Sequence, residues 1–400
     1  MLYVPCAMLA WTVAFTKIRH LARGVRDREL IALCAALVFL AMTMTIAIPP
    51  VWTRVDAWLH VPNLCGLLSQ CSALGFAISI HLMVRLLHCS EDKREEPGRI
   101  IRWHLAAGAL ILVVMTGLFL RIPPLPEAPT DFVVQYAGRP QVADHLTVYI
   151  LVFGGLQVRN TVLCWHYART DVSRWLGVGL YMMAVASALG LVYSGVRGID
   201  IVGARLGVAV DAWEPVARLM IFSGAVLASL GCTAPSWGAK ISAIVAWLDD
   251  YIACARLYPL WAKLCRAVPG IALEPPRSIL IDLLAAASGL RFLLLRRVVE
   301  INDGIVALRS RLGPETVEEA NAFCLRSGLT GPRLRATVEA CLLRRALTIK
   351  IPGAGSLDTP PATASGTADS AHVSHEVRRV LDIARAFGGS PVVRAFTTTG

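Results

Sequence analysis

The residues that could do chemistry in this chain are polar side chains inside long apolar segments. His81, Arg85 and His88 follow at i, i+4 and i+7, so on a helix they share one face. A charge near the centre of a bilayer costs at least about 2.5–3.5 kcal/mol, which makes such residues candidates for a ligand site or a transport pathway. The alternative is that this face lies at the end of a helix and that its long side chains extend to the interface.

Arg159 and Gln70 are further candidates for the same role. Arg159 stands six residues before Trp165 and can pair with a neighbouring helix, line a cavity or extend to the interface. Gln70, like Asn63, is typical of hydrogen bonds between membrane helices. The candidate ligand or pathway residues are therefore Arg159, His81, Arg85 and Gln70.

The sequence contains no recognisable catalytic or metal-binding set. His372, His375 and Glu376 have the wrong order for the HExxH zinc motif, in which the glutamate lies between the histidines. The eleven cysteines form no CxxC pair and no zinc-ligand spacing, and none falls in a predicted external loop. We therefore expect no structural disulfide, no metal and no cofactor, and an intramembrane enzyme is the least favoured function because no catalytic set supports it.

Seven apolar segments position these residues. Hydrophobic residues make up 56% of the chain and charged residues 17%, and the mean hydropathy of +0.58 is above that of soluble proteins. A bilayer core takes roughly 20 apolar residues per helix. The predicted spans are Met1–Thr16, Leu30–Ile48, Val61–Val84, Trp103–Leu120, Leu146–Trp165, Leu176–Val196 and Val216–Ala234. The first lacks a signal-peptide pattern and is expected to be a retained anchor.

Basic residues between the spans predict the orientation, because cytoplasmic connections carry an excess of lysine and arginine. Connections 17–29, 85–102 and 159–174 hold thirteen such residues, whereas six lie in or next to the alternate connections. The prediction is a multi-pass plasma-membrane protein with its N-terminus outside and its C-terminus in the cytoplasm.

Tryptophan positions agree with this topology, because indole side chains collect at the headgroup level. Seven of the ten tryptophans lie at predicted span ends. The outer ones are Trp52, Trp58 and Trp213, and the inner ones are Trp103, Trp165, Trp175 and Trp237.

The net charge of +11 does not predict nucleic-acid binding. Much of it is the topology bias itself, and the region after residue 235 carries twenty basic against fourteen acidic residues. Attraction to anionic lipid of the inner leaflet explains this surplus more simply. The expected partner is therefore the lipid bilayer and not a nucleic acid.

The C-terminal region is predicted to be helical. We divide the chain into a transmembrane domain 1–235, a helical cytoplasmic domain 240–350, a flexible linker 351–373 and a C-terminal helix and tail 374–400. Within these ranges we expect an interfacial or entry helix from about 241, then helices over 277–287, 291–302, 314–327 and 332–349, and a last one near Ser374–Phe387. Pro314 and Pro332 stand where a helix begins. The fold class is all-α.

Several short segments resemble an uncharacterised family. They are Leu257–Trp261, Val268–Leu273, Pro276–Arg277, Arg296–Gly304, Val61–Asn63, Tyr136–Gly138 and Ala384–Phe387. The chain is similar to actinobacterial seven-helix membrane proteins with a C-terminal cytoplasmic domain of unknown function. The resemblance implies at most the label transporter, without a mechanism and without site residues.

Two functions are compatible with these observations. The first is a sensor or interaction platform that relays through its cytoplasmic domain to a protein partner. Its candidate contacts are Tyr258, Trp261, Arg296 and Arg297, for which internal packing is the alternative. The second is a transporter of a small or lipidic solute, with Arg159 and His81 along the path and the Pro-rich loop 121–145 as a gate or cap. The stripe Cys71, Gly75 and Ser79 permits close packing within the bundle or between protomers, so a homo-oligomer is an open alternative.

Overall fold

A computed structural model describes residues 3–23, 27–91, 96–129, 132–170, 172–206, 213–274, 289–348 and 370–398. Over these residues the protein is all-α, with helices joined by turns and short extended segments. The chain divides into two compact units, Met1–Ala239 and Lys240–Gly400. The boundary falls within one long helix, and each unit has its own hydrophobic core.

The first unit contains the apolar helices. Their bounds are α1 Tyr3–Ala22, α2 Arg28–Ile46, α3 Pro49–Leu59, α4 Leu64–Glu91, α5 Pro97–Phe119, α6 Phe132–Tyr136, α7 Pro140–Tyr167, α8 Arg174–Arg205 and α9 Glu214–Ala267. Six of them, α2, α4, α5, α7, α8 and α9, are long and apolar enough to cross a membrane. The molecule is therefore an all-α, multi-pass membrane protein.

Proline opens three of these helices. Pro49, Pro97 and Pro140 occupy the first helical turn of α3, α5 and α7, where the missing N–H has no intrahelical partner to lose. The helix α3 was not predicted, because its eleven residues are too few to span a bilayer. It ends at Leu59, and the next residue, His60, has a left-handed φ of 57° that turns the chain towards α4.

Glycines let the helices of this unit pack closely. A Cβ built on Gly75 would lie 2.9 Å from the ring of Phe39, so the predicted small-residue stripe of α4 receives a side chain of α2. Gly179 of α8 and Gly231 of α9 bring two backbones together, because a Cβ on Gly179 would lie 2.7 Å from the Gly231 carbonyl oxygen. Both contacts lie within the bundle.

The second unit is a helical domain with a single core cluster among its described residues. It contains the end of α9 followed by α10 Leu290–Arg309, α11 Pro314–Arg326, α12 Gly331–Thr348, α13 Ser370–Gly389 and α14 Pro391–Thr398. Leu257, Leu264, Leu294, Ile301 and Leu308 are at most 1% exposed at its centre. Helical spacing of these apolar residues is what places them on facing sides of α9 and α10.

Helices α10, α11 and α12 begin within one residue of the predicted positions, and Pro314 opens α11 as expected. The amphipathic segment from about residue 241 is helical as expected, and it is part of α9, which continues through Pro235 and Gly238 to Ala267. Helical periodicity outweighs these two breakers. The predicted helix 277–287 and the linker up to residue 369 lie outside the described residues, while α13 already begins at Ser370.

Candidate functional site

A buried arginine links the end of α8 to the start of α9. Arg197 donates from Nη1 to Asp200 Oδ2 over 2.9 Å and to Glu214 Oε2 over 2.6 Å. The guanidinium also lies over the ring of Tyr193, 5.4 Å from its centroid. The side chains of Arg197 and Asp200 are 9% and 2% exposed, so both charges have left water and each depends on its partner.

Glu214 connects this arginine to a second one. Its Oε1 accepts from Arg218 Nε over 2.8 Å, one helical turn further along α9. As the first residue of α9, Glu214 also lies at the positive end of the helix dipole, which favours a carboxylate. Arg197, Asp200, Glu214 and Arg218, which we call the outer network, together carry two positive and two negative charges.

The two arginines of the outer network, Arg197 and Arg218, line a cavity of about 140 Å³. Aromatic and amide side chains complete the wall, among them Tyr3, Trp52, Gln70, Tyr149 and Tyr193. The volume corresponds to about four or five water molecules. We call this space the outer cavity; it suits a small polar molecule with aromatic faces around it and charge at one end.

The Pro-rich segment after α5 contributes to the wall of the outer cavity through Pro129 and Phe132. Asn63 holds this segment: its Nδ2 donates to the carbonyls of Leu125 at 3.2 Å and Pro126 at 3.1 Å, and its Oδ1 accepts from the Ala128 amide at 3.1 Å. Asn63 has a φ of 61°, a conformation that asparagine tolerates better than most residues. The segment is thus a fixed part of the cavity wall.

Gln70, a predicted site residue, lies at the outer cavity and not with the other candidates. Its Oε1 and His145 Nε2 are 2.7 Å apart, with the histidine donating to the amide oxygen. His145 is 1% exposed on α7. This hydrogen bond between helices is the role that the residue type indicated.

His81, Arg85 and Arg159 lie together at a second cavity, which has a volume of about 670 Å³ and lies between α4, α5 and α7. We call it the inner cavity, because its arginines stand in or next to connections predicted to be cytoplasmic. His81 Nδ1 donates to Asn160 Oδ1 over 3.0 Å, and Asn160 Nδ2 donates to the Ala77 carbonyl over 3.0 Å. Arg159 itself is exposed. The predicted face of α4 and the separately predicted Arg159 of α7 therefore line one space.

The predicted partner contacts in the second unit include two interior residues. Trp261 and Arg297 are 4% and 1% exposed, and the Arg297 guanidinium lies 4.8 Å from the centroid of the Trp261 ring and 5.2 Å from that of Tyr258. Arg297 Nη1 also donates to the Cys254 carbonyl over 3.1 Å. The geometry therefore supports internal packing of Trp261 and Arg297, which was the alternative to a partner contact.

Glu300 organises the polar atoms around this pair. Its Oε2 accepts from Trp261 Nε1 over 2.6 Å, and its Oε1 accepts from Arg296 Nε over 2.9 Å and from the Leu273 amide over 3.1 Å. Burial and the charge of Glu300 raise the pKa of the nearby Asp303 carboxyl. Arg296 and Tyr258 are half-buried at the edge of the same cluster.

Exposed apolar residues lie elsewhere on α10. Phe292, Val299 and Val306 recur every seven residues and are 71%, 57% and 64% exposed. Seven residues are close to two helical turns, so the three side chains lie along one face. This face is a more accessible contact surface than the residues that the sequence indicated.

Sequence reasoning missed the outer network. It assigned Arg197 to an external loop, but α8 extends to Arg205 and carries that arginine within a helix. A signal was present, because Arg197 and Asp200 stand at i, i+3 and Glu214 and Arg218 at i, i+4, both spacings of helical ion pairs. Among the described residues no group of three or more His, Cys, Asp or Glu side chains could hold a metal ion.

These features define a multi-pass membrane protein with a charged cavity inside its apolar unit. A family described as "Family of unknown function (DUF6545)" matches residues 246–390, so the C-terminal part carries a DUF6545 domain. No curated protein and no solved structure matches the chain. The actinobacterial origin and the transporter label stay predictions.

Proposed function

We propose that this protein is a plasma-membrane sensor that binds a small polar ligand in the outer cavity and relays the event through its DUF6545 domain. The observation that carries the proposal is the outer network beside a cavity. Intramembrane charges are expensive and are retained mainly where they act. Here Arg197 and Arg218 line the outer cavity, and both pair with Glu214 at the edge of an apolar bundle.

The topology within this proposal is seven spans, with an outside N-terminus and a cytoplasmic C-terminus. Helix α1 supports a seventh span, because Cys6, Ala7, Ala10 and Ala14 belong to the same core cluster as residues of α2 and α8. The distribution of basic residues supports the orientation. A green fluorescent protein fused after Gly400 should fluoresce in cells; a fusion that is intact and inserted in the membrane but dark contradicts this orientation.

The packing below the outer cavity favours a receptor over a conduit. A smaller cavity of about 40 Å³ adjoins it and shares Thr43, Met44, Ala73 and Ile221 with its wall. Further along the bundle, five side chains that are at most 3% exposed pack together: Leu37, Ile80, Val84, Leu180 and Met183. Among the described residues this layer separates the outer cavity from the predicted cytoplasmic end.

The relay is tested by hydrogen exchange on the full chain in lipid nanodiscs. We expect R197Q to change amide protection in α10 and α12, because a sensor couples its binding site to its output domain. The matched control is R205Q on the same helix as Arg197; it removes the exposed ion pair between Arg205 and Asp144 of α7. Unchanged exchange of α10 and α12 in R197Q, despite altered exchange around Glu214, contradicts the relay.

A transporter of a small or lipidic solute is the second candidate, and the ligand-sized inner cavity beside α5 favours it. Ser69 lines the outer cavity and separates the two functions. In membrane vesicles of both orientations, a sensor predicts that S69C reacts with a membrane-impermeant maleimide from the outer side alone. Reaction from both sides, above the background of the native cysteines, favours the transporter.

A further inference from the structure

We propose that the inner cavity binds the headgroup of an anionic phospholipid, with the acyl chains along α5. This inference is independent of the sensor proposal, because it concerns a different cavity. Its basis is the combination of charge, depth and size at one place between three helices.

The charge of the inner cavity is strongly positive. Arg85 of α4, Arg99 of α5 and Arg159 of α7 line it together with one carboxylate, Glu96. Among the described residues no carboxylate lies within ion-pair distance of Arg99 or Arg159. Basic pockets between membrane helices on the cytoplasmic side are the type of site that takes anionic lipid headgroups.

Two histidines extend the polar part of the wall. His104 Nδ1 donates to the Ile100 carbonyl over 2.7 Å, and His81 Nδ1 donates to Asn160. Among the described residues neither ring uses its Nε2, so both Nε2 atoms are left for a ligand. The ring centroids of the two histidines are 5.4 Å apart. Phosphate oxygens accept hydrogen bonds from such groups as well as from guanidinium.

The inner cavity changes from charged to apolar along all three helices in the same direction. On α5 the lining runs from Arg99 through His104 and Ala107 to Ile111, a rise of about 18 Å. On α4 it runs from Arg85 to Ile78, and on α7 from Arg159 to Leu156. A charged mouth above an apolar depth is the profile of an amphiphile.

Helix α5 provides the surface for the acyl chains. Leu105, Leu112 and Val113 are 66%, 51% and 69% exposed. A second, apolar cavity of about 590 Å³ lies on the other side of α5, against α2 and α4, and shares Ile78, His104 and Ile111 with the inner cavity. A free phosphate ion would use the arginines but leave these apolar walls unoccupied.

The test uses the full-length protein, purified in detergent and depleted of lipid. Phosphatidylglycerol, phosphatidylcholine with the same acyl chains, and sodium phosphate are added separately, and bound molecules are counted by native mass spectrometry alongside the thermal midpoint. We expect phosphatidylglycerol to bind and to raise the midpoint. The double variant R99Q/R159Q should weaken its binding about ten-fold or more, because it removes charge-assisted hydrogen bonds.

The control is R102Q, which changes an exposed arginine of the same helix that does not line the cavity. It should bind phosphatidylglycerol like the unmodified protein. Three outcomes would each overturn the proposal. They are phosphatidylcholine binding equal to that of phosphatidylglycerol, full displacement of phosphatidylglycerol by sodium phosphate at equal charge, and unchanged phosphatidylglycerol binding by R99Q/R159Q. A variant that elutes as an aggregate is replaced by R99K/R159Q, with the same expected direction.

Discussion

Arg197 Nη1 and Glu214 Oε2 lie 2.6 Å apart and join α8 to α9 through a buried ion pair. Removing one partner of such a pair leaves the other charge without compensation, at a cost of about 3–5 kcal/mol. We therefore expect R197Q to lower the thermal midpoint of the detergent-purified protein clearly. R205Q breaks an exposed pair, whose partners are 53% and 65% exposed, and should change stability by less than about 1 kcal/mol. Equal effects of the two variants would contradict the assigned role.

Gly179 and Gly231 predict a steric effect of a single methyl group. In G179A the new Cβ would meet the Gly231 carbonyl oxygen at 2.7 Å, so α8 and α9 must separate. We expect a loss of roughly 1–3 kcal/mol, as for other overpacked sites. The control is G195A on the same helix, where a Cβ meets no atom within 4 Å and better helix propensity should leave stability unchanged or up to about 1 kcal/mol higher.

Asn63 should control the Pro-rich segment that lines the outer cavity. N63A removes three hydrogen bonds to that segment and keeps the left-handed backbone. We expect faster proteolysis or hydrogen exchange between residues 121 and 129. H60A is the matched control, since His60 has the same backbone strain, with a φ of 57°, and an exposed side chain. If both variants loosen the segment equally, backbone strain and not the hydrogen bonds is responsible.

Arg297 should stabilise the second unit through the rings on which it lies. R297A removes the contacts with Tyr258 and Trp261 and the hydrogen bond to Cys254, and it leaves a void in the core. We expect a loss of about 3 kcal/mol or more, because the side chain is 1% exposed. The control is R291A. It breaks the ion pair with Asp250, and the side chain of Arg291 is 54% exposed. The protease resistance of the second unit, measured in the full chain, reports the stability of both variants. Similar losses of stability in R297A and R291A would argue against a core role of Arg297.

Cys341 predicts a pH dependence of stability. Burial raises the pKa of its thiol to about 12, whereas an unfolded thiol titrates near 9. The folded state therefore binds the proton more tightly, so this thiol's contribution is fully present below pH 9 and is lost progressively between pH 9 and about 12. Thermal unfolding at pH 8 and pH 10.5 should show a smaller difference in C341S than in the unmodified protein. An identical difference would mean that this thiol does not contribute.

Much of the fold could be read from local patterns. Apolar length predicted most of the long helices, and proline positions predicted the start of α11. The exceptions are informative. Helix α3 is too short for a span pattern, and α9 continues through Pro235 because local breaker residues are weak against a long helical periodicity. The seventh span and the orientation stay predictions.

The candidate site was only partly readable. Helical spacing already placed His81 and Arg85 on one face, but their meeting with Arg159 in one cavity depends on how α4 and α7 pack. Gln70 lies with His145 instead, because the rise of about 16 Å along α4 places it at another level. The sequence predicted Trp261 and Arg297 as possible partner contacts, but in the structure both are buried in the core of the second unit.

The sequence by itself determined that this chain is helical and that several of its segments enter a membrane. These properties follow from residue type and spacing, which act over one or two turns. Only the tertiary structure decided that Arg197 forms an ion pair with Glu214 and that Glu300 accepts a hydrogen bond from Trp261. It also decided that three arginines line one cavity. Such pairings depend on the side-by-side packing of helices, and residue spacing within one helix carries no information about its neighbour.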